Sequence, residues 1–120
     1  MRKNQKRSTS SVEVLEQKDG LQAIRVSGYI FRPDEADKLL KIYQQVKDAP
    51  NIVIDLSKAD WLTSIGVAAI AQVVIPVIES PDEREIYIVV NEKFKRRYFD
   101  ERPWAEGRAF ETVEEIPNFS

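Results

Sequence analysis

The sequence predicts an α/β domain in which a mixed sheet of four to five strands carries helices packed mainly on one face. Three observations predict it. Apolar runs of strand length, at residues 51–56 and 85–90, alternate with helix-like stretches. In the first of these runs Ile52, Val53, Ile54 and Leu56 follow one another almost without a break, as in a strand covered on both faces. The residues after it, 65–78, are Ala-rich, apolar and too many for one strand. At 120 residues the chain is long enough for one domain with a single core.

In chain order, residues 1–11 (MRKNQKRSTSS) are basic and Ser-rich with no apolar run behind them, and read as a disordered tail. No secretory signal is expected, because such a signal needs an apolar segment after its charges. Residues 12–17 (VEVLEQ) alternate apolar and polar, Lys18-Asp19-Gly20 makes a turn, and residues 21–26 (LQAIRV) resume the alternation, which together predict a β-hairpin. Ser27-Gly28 closes the second strand, with Gly28 marking a backbone bend, a close approach or a simple turn. Pro33-Asp34-Glu35 starts a helix, with acids where the N-terminal dipole favours them. Leu39, Leu40, Tyr43 and Val46 then recur at helical spacing, and the helix ends near Ala49-Pro50.

The central unit, residues 51–78, reads as strand, polar turn at 58–63, and long helix, with Thr63 and Ser64 as residue types that cap helix N-termini. Ser80-Pro81-Asp82 breaks this helix. Residues 85–90 (EIYIVV) form the next strand. From Asn91 a short helix turns Phe94, Tyr98 and Phe99 inward and Lys93, Lys95, Arg96 and Arg97 outward. Those four cations read as a solvated face, with phosphate binding as the alternative. Trp104 seals the end of the core, residues 109–113 (AFETV) make a last short strand, and a helical turn stops at Pro117. The domain therefore spans residues 12–116 in the order β-β-α-β-α-β-α-β, with 117–120 as a tail.

Composition excludes several chemistries. With no Cys and no His, disulfides and thiolate or imidazole metal sites are ruled out, and neither cofactor nor metal is expected. A hydrolytic triad on Ser64 would need a lysine base, and Lys58 lies in an ordinary polar turn with nothing to lower its pKa. Gly66 stands alone after its strand, so there is no glycine-rich phosphate loop. The chain is not expected to be an enzyme. Arg2, Lys3, Lys6 and Arg7 supply four positive charges to a chain whose net charge is −2, leaving −6 on residues 11–120. That body is a poor nucleic-acid surface. The stretch 61–78 approaches membrane-spanning length, but Thr63, Ser64, Gln72 and Pro76 interrupt it, and no membrane insertion is expected.

Placed on a helix, Val67, Ile70, Ala71, Val74 and Ile78 form a stripe for the sheet. Ile65, Ala69, Gln72 and Pro76 lie roughly opposite, so an outward apolar face starts beside Ser64. Such a surface marks a protein interface, for another protein or for a homodimer, unless neighbouring elements cover it.

Three stretches carry a family resemblance: residues 24–30 (IRVSGYI), 54–70 (IDLSKADWLTSIGVAAI) and the 85–91 strand (EIYIVVN) with its following helix. Over residues 12–116 the chain resembles the STAS domain, shared by anti-sigma-factor antagonists and the cytoplasmic tails of sulfate transporters. In the antagonists the serine after the motif's aspartate is phosphorylated by a partner anti-sigma-factor kinase and dephosphorylated by a PP2C-type phosphatase. The resemblance implies that Ser64 holds that position. Thr63 stands where the family has aspartate, and is a second hydroxyl able to accept phosphate. Ile65 replaces the motif's second hydroxyl residue, and Gly66 is retained. By this resemblance the chain is a cytoplasmic regulatory domain that binds an anti-sigma-factor serine kinase. Its partner surface is Thr63, Ser64, Ile65, Gly66, Ala69 and Gln72, with Gly28 close by. A constitutive scaffold module and a small-ligand or anion sensor are the other functions compatible with the residues.

Overall fold

The computed structural model describes residues 10–15, 21–29, 33–46, 48–49, 51–81 and 84–117. Most of the expected basic tail, the Lys18-Asp19-Gly20 turn, Pro50, Asp82 and residues 118–120 lie outside them. Five strands form one sheet in sequential order, β1 (Ser10–Val14), β2 (Leu21–Tyr29), β3 (Asn51–Trp61), β4 (Glu85–Val89) and β5 (Ala109–Phe110). β1 runs antiparallel to β2, and every later pairing is parallel. The helices are α1 (Pro33–Val46), α2 (Ser64–Glu79) and α3 (Glu92–Phe94), which continues as a π-helical turn over Lys95–Phe99. The element order is the predicted one.

β1 starts at Ser10, ahead of the expected boundary, because Ser10 and Ser11 pair with Gly28 and Ser27. Edge-strand serines look like tail in sequence because only backbone pairing recruits them.

Alternation along the strands divides the core in two. Ile24, Val26, Ile52, Ile54, Ile86 and Ile88 face α1 and α2 and bury with Leu39, Ile70, Val73 and Val74. Val53, Tyr87 and Val89 point to the other face, where Ile116, Val113 and Phe110 cover them. Both faces of β3 are thus covered, one by helices and the other by the C-terminal segment. A single 3-10 turn, Val113–Glu115, holds that segment in place through a capping box between Thr112 and Glu115. A charged group is also buried on this face: the Asp55 carboxylate accepts from the Ser57 amide at 2.9 Å, the Ser57 hydroxyl at 2.6 Å and Arg25 Nε at 3.3 Å. Those three donors offset the cost of desolvating it.

β3 is longer than its apolar run. It pairs with β4 only as far as Asp55, then continues to Trp61 against β2 alone, with register shifts between Arg25 and Ser27 and between Gly28 and Tyr29. The expected turn at 58–63 is therefore mostly strand, corrected to a two-residue connection, Leu62-Thr63. Its polar Ser57, Lys58 and Asp60 are exposed while Ala59 is buried, a one-sided pattern that reads as loop in sequence. Gly28 sits at the second shift with φ +84, the left-handed conformation that glycine adopts without steric cost. Among the described residues no helix is long and apolar enough to cross a membrane.

Candidate functional site

In a parallel sheet the strands end on one edge, and the helices that follow them start there. β3 and β4 are parallel neighbours, so α2 and α3 both begin at that edge. Leu62 is buried and anchors the connection. Thr63 is extended (φ −117, ψ 170) and is the N-cap of α2; its Oγ1 accepts from the Gly66 amide at 3.4 Å, and its carbonyl accepts from the Val67 amide at 3.0 Å. The Thr63 hydroxyl is thus engaged with the helix start. Ser64 is the first helical residue and is exposed. It stands where the free N–H groups and the helix dipole favour negative charge, and no acid occupies the first turn.

Around Ser64 the surface is apolar. Ile65 is 48% and Trp61 47% exposed, unusually open for such large side chains. The Trp61 ring meets Phe94 of α3 edge-on, with centroids 6.3 Å apart, which ties the end of β3 to the start of α3. Along α2 the outward positions are Ile65, Ala68, Gln72, Pro76 and Ile78, with Ala71 and Ile75 half-buried. None is charged. The first charge on the helix is Glu79 at its last position.

Two predicted partner-surface residues are corrected here. Ala69 is only 2% exposed and packs in the core, and Gly66 is also buried. Ile78, assigned to the sheet stripe, is 37% exposed. At 100° per residue Ala68 and Ala69 differ by less than a third of a turn, and with alanine at both positions composition offers no way to choose. Thr63, Ser64, Ile65 and Gln72 do fall together on or beside the exposed face. Gly28 is half-buried in β2 and pairs with Ala59, on the strand that leads to Ser64.

Trp61 and Ala68 belong to this surface, and the sequence reading left both out of it. Trp61 carried a usable signal, a large aromatic beside a polar turn, but its burial depended on where β3 ended.

The basic cluster lies at the same edge. Lys93, Arg96 and Arg97, with Glu92, line an open concavity of about 410 Å³. Arg96 pairs with Glu92 at 2.7 Å and Lys95 with Asp100 at 2.9 Å, both at the surface, where such pairs contribute little stability. Arg97 lies over the Tyr98 ring, 5.4 Å from its centroid. At the other end of α2, Ile75, Ile78, Pro103 and Trp104 form an apolar groove bordered by Glu79 and Arg108. Trp104 packs edge-on against Phe99 there, at the end of the core where it was expected. No group of three or more acidic side chains able to hold a metal ion occurs among the described residues.

No family model and no curated protein matches the chain. Among solved structures, the chain is similar to the crystal structure of an anti-sigma factor antagonist from Mycobacterium paratuberculosis. The two share 22% sequence identity over 91% of this chain and 92% of that one, with a TM-score of 0.67. A likeness at that identity is one of fold, and the fold is the one implied by the residues of 24–30, 54–70 and 85–91.

Proposed function

We propose that the chain is a cytoplasmic regulatory interaction domain of the anti-sigma-factor-antagonist kind, which docks on an anti-sigma-factor serine kinase and is switched by phosphorylation of Ser64. One observation carries this reading: an exposed hydroxyl on the first residue of a 16-residue helix stands at the head of an uncharged outward face. A phosphate there adds about −1.5 to −2 charge at neutral pH. The fold tolerates it, because the helix N-terminus supplies free N–H groups and a favourable dipole. A partner that had buried Ile65 and Trp61 would not tolerate it, because the charge must then be desolvated.

Thr63 supports Ser64 as the acceptor. Its side chain already accepts a hydrogen bond from Gly66, the capping role an aspartate in its place would fill. A PP2C-type phosphatase resetting Ser64 completes the cycle.

The test is intact-mass measurement after incubation with a candidate anti-sigma-factor kinase and ATP. One added phosphate, lost in Ser64→Ala and retained in Thr63→Val, supports the switch. No added phosphate defeats it and leaves a constitutive interaction module.

A further inference from the structure

Taking Ser64 as a phosphorylated residue, as proposed above, we infer that its phosphate is received by the basic segment preceding β1, through Arg2, Lys3, Lys6 and Arg7 of the same chain. Strand register brings the two together. β1 runs antiparallel to β2, so the chain before Ser10 leaves the sheet at the edge where β2 and β3 end. Ser10 pairs with Gly28, and Gly28 pairs with Ala59 of β3. Two strand spacings put Ser10 about 10 Å from Ala59. Five residues later comes Ser64, at most about 17 Å further. Arg7 to Arg2 stand three to eight residues before Ser10, a reach of about 10 to about 26 Å before side-chain length is added. The segment is long enough to meet Ser64.

Charge decides when they meet. The segment carries four cations and no acid. The start of α2 has no acidic residue in its first turn, and its dipole repels cations. A phosphate of about −1.5 to −2 charge reverses the sign there and offers three acceptor oxygens, which arginine can engage in pairs. Single carboxylates near this edge compete less well: Asp34 and Asp60 are exposed, and Glu92 is held by Arg96 at 2.7 Å. The rival receiver is the concavity lined by Lys93, Arg96 and Arg97 on the far side of β3. There Arg96 is engaged with Glu92, and Arg97 lies over the Tyr98 ring. Lys93 then sets one uncommitted charge against the segment's four.

Pairing at Ser64 has a second effect. A segment bound there lies beside Ile65 and Trp61, which are 48% and 47% exposed, and keeps a partner off them. Release of the partner then comes from the charge and from the covering together.

The test uses the full chain with phosphoserine incorporated at position 64 during synthesis, so that no kinase is needed. Phosphorus NMR follows the second ionisation of the phosphate with pH, and trypsin reports access to Lys6 and Arg7. The reference is the same phosphorylated chain with Arg2, Lys3, Lys6 and Arg7 all changed to Gln. With its cations the chain is expected to ionise its phosphate about 0.5 pH unit lower than the reference, because nearby cations favour the dianion. That difference is expected to vanish in about 1 M salt. Cleavage after Lys6 and Arg7 is expected to slow about threefold or more relative to the unphosphorylated chain. Equal ionisation with and without the four cations overturns the proposal. So does a shift that follows Lys93→Gln instead, or one that grows with protein concentration, which would mean that a second copy supplies the segment. A chain that kinases modify at Ser64 but whose phosphate ignores the segment keeps the switch and loses this pairing. A chain that no kinase modifies, yet that shows both effects when carrying phosphoserine, keeps the pairing and loses the switch.

Discussion

α2 is nearly as apolar on its outward side as on the side that faces the sheet, yet the two sides do different work. Inward, Val67, Ile70, Val73, Val74 and Val77 fill the space over β3 and β4 and are essentially without solvent exposure. Outward, Ile65, Ala68, Gln72, Pro76 and Ile78 meet water and gain less from folding. A surface helix in a chain with 32% charged residues ordinarily places charges on such a side. Their absence from residues 64–78 accords with the docking role proposed for this face. The difference teaches that hydrophobicity along a helix does not by itself report burial, and that only the packing of neighbouring elements separates the two sides.

The largest effect that breaks the comparison is a pair of truncations. Ile70→Ala is expected to lose about 2–4 kcal/mol of stability through lost transfer energy and a cavity, whereas Ile65→Ala changes it by less than about 0.5 kcal/mol. Urea denaturation of both variants measures this; equal losses would mean that Ile65 is covered and the outward face is core.

A smaller effect concerns the hinge between the two sides, the cap. Thr63→Ala is expected to cost about 0.5–1 kcal/mol, the low end of the range because the Oγ1 contact with Gly66 is long at 3.4 Å, while Thr63→Asp retains the cap. The same denaturation series reads both variants, and a neutral Thr63→Ala would show that the cap hydroxyl is dispensable.

The smallest effect sharpens the contrast on the far face of the sheet, where polar groups are buried with partners. The Tyr87 phenol is held above its ordinary value of 10.0 chiefly by burial, then by the hydrogen bond it donates to Glu85 at 3.0 Å and by that carboxylate's charge, with Arg108 opposing. The folded state therefore keeps this proton to higher pH than the unfolded chain does. Its contribution is fully present below about pH 10 and is lost as pH rises through the folded-state pKa. As pH rises above about 10, the urea midpoint of the wild type should fall more steeply than that of Tyr87→Phe. Parallel slopes would remove Tyr87 from the alkaline response.

Much of this was legible in the residues. Element order followed from local signals: the alternation of residues 21–26, the Pro33-Asp34-Glu35 start, the unbroken apolar run at 51–56 and the hydroxyls before Ile65. Ser64 at the head of α2 was legible because capping is local chemistry, decided within one turn of helix. Three things were not. Where β3 ends depends on β2 lying beside it, since Ser57, Lys58 and Asp60 have no strand signal of their own. The choice between Ala68 and Ala69 depends on how α2 is rolled about its axis, which the shape of the sheet surface sets. The covering of Val53, Tyr87 and Val89 depends on Ile116 returning across the sheet, a contact between residues far apart in the chain.

By itself, then, the sequence determined the order of elements, a mixed sheet with helices mainly on one face and the serine at a helix start, because propensity, periodicity and caps act over a few residues. Only the tertiary structure decided which side of α2 remains open and that Trp61 and Ile65 flank Ser64 at the surface. Exposure is a property of what packs against a residue, and no local pattern encodes it.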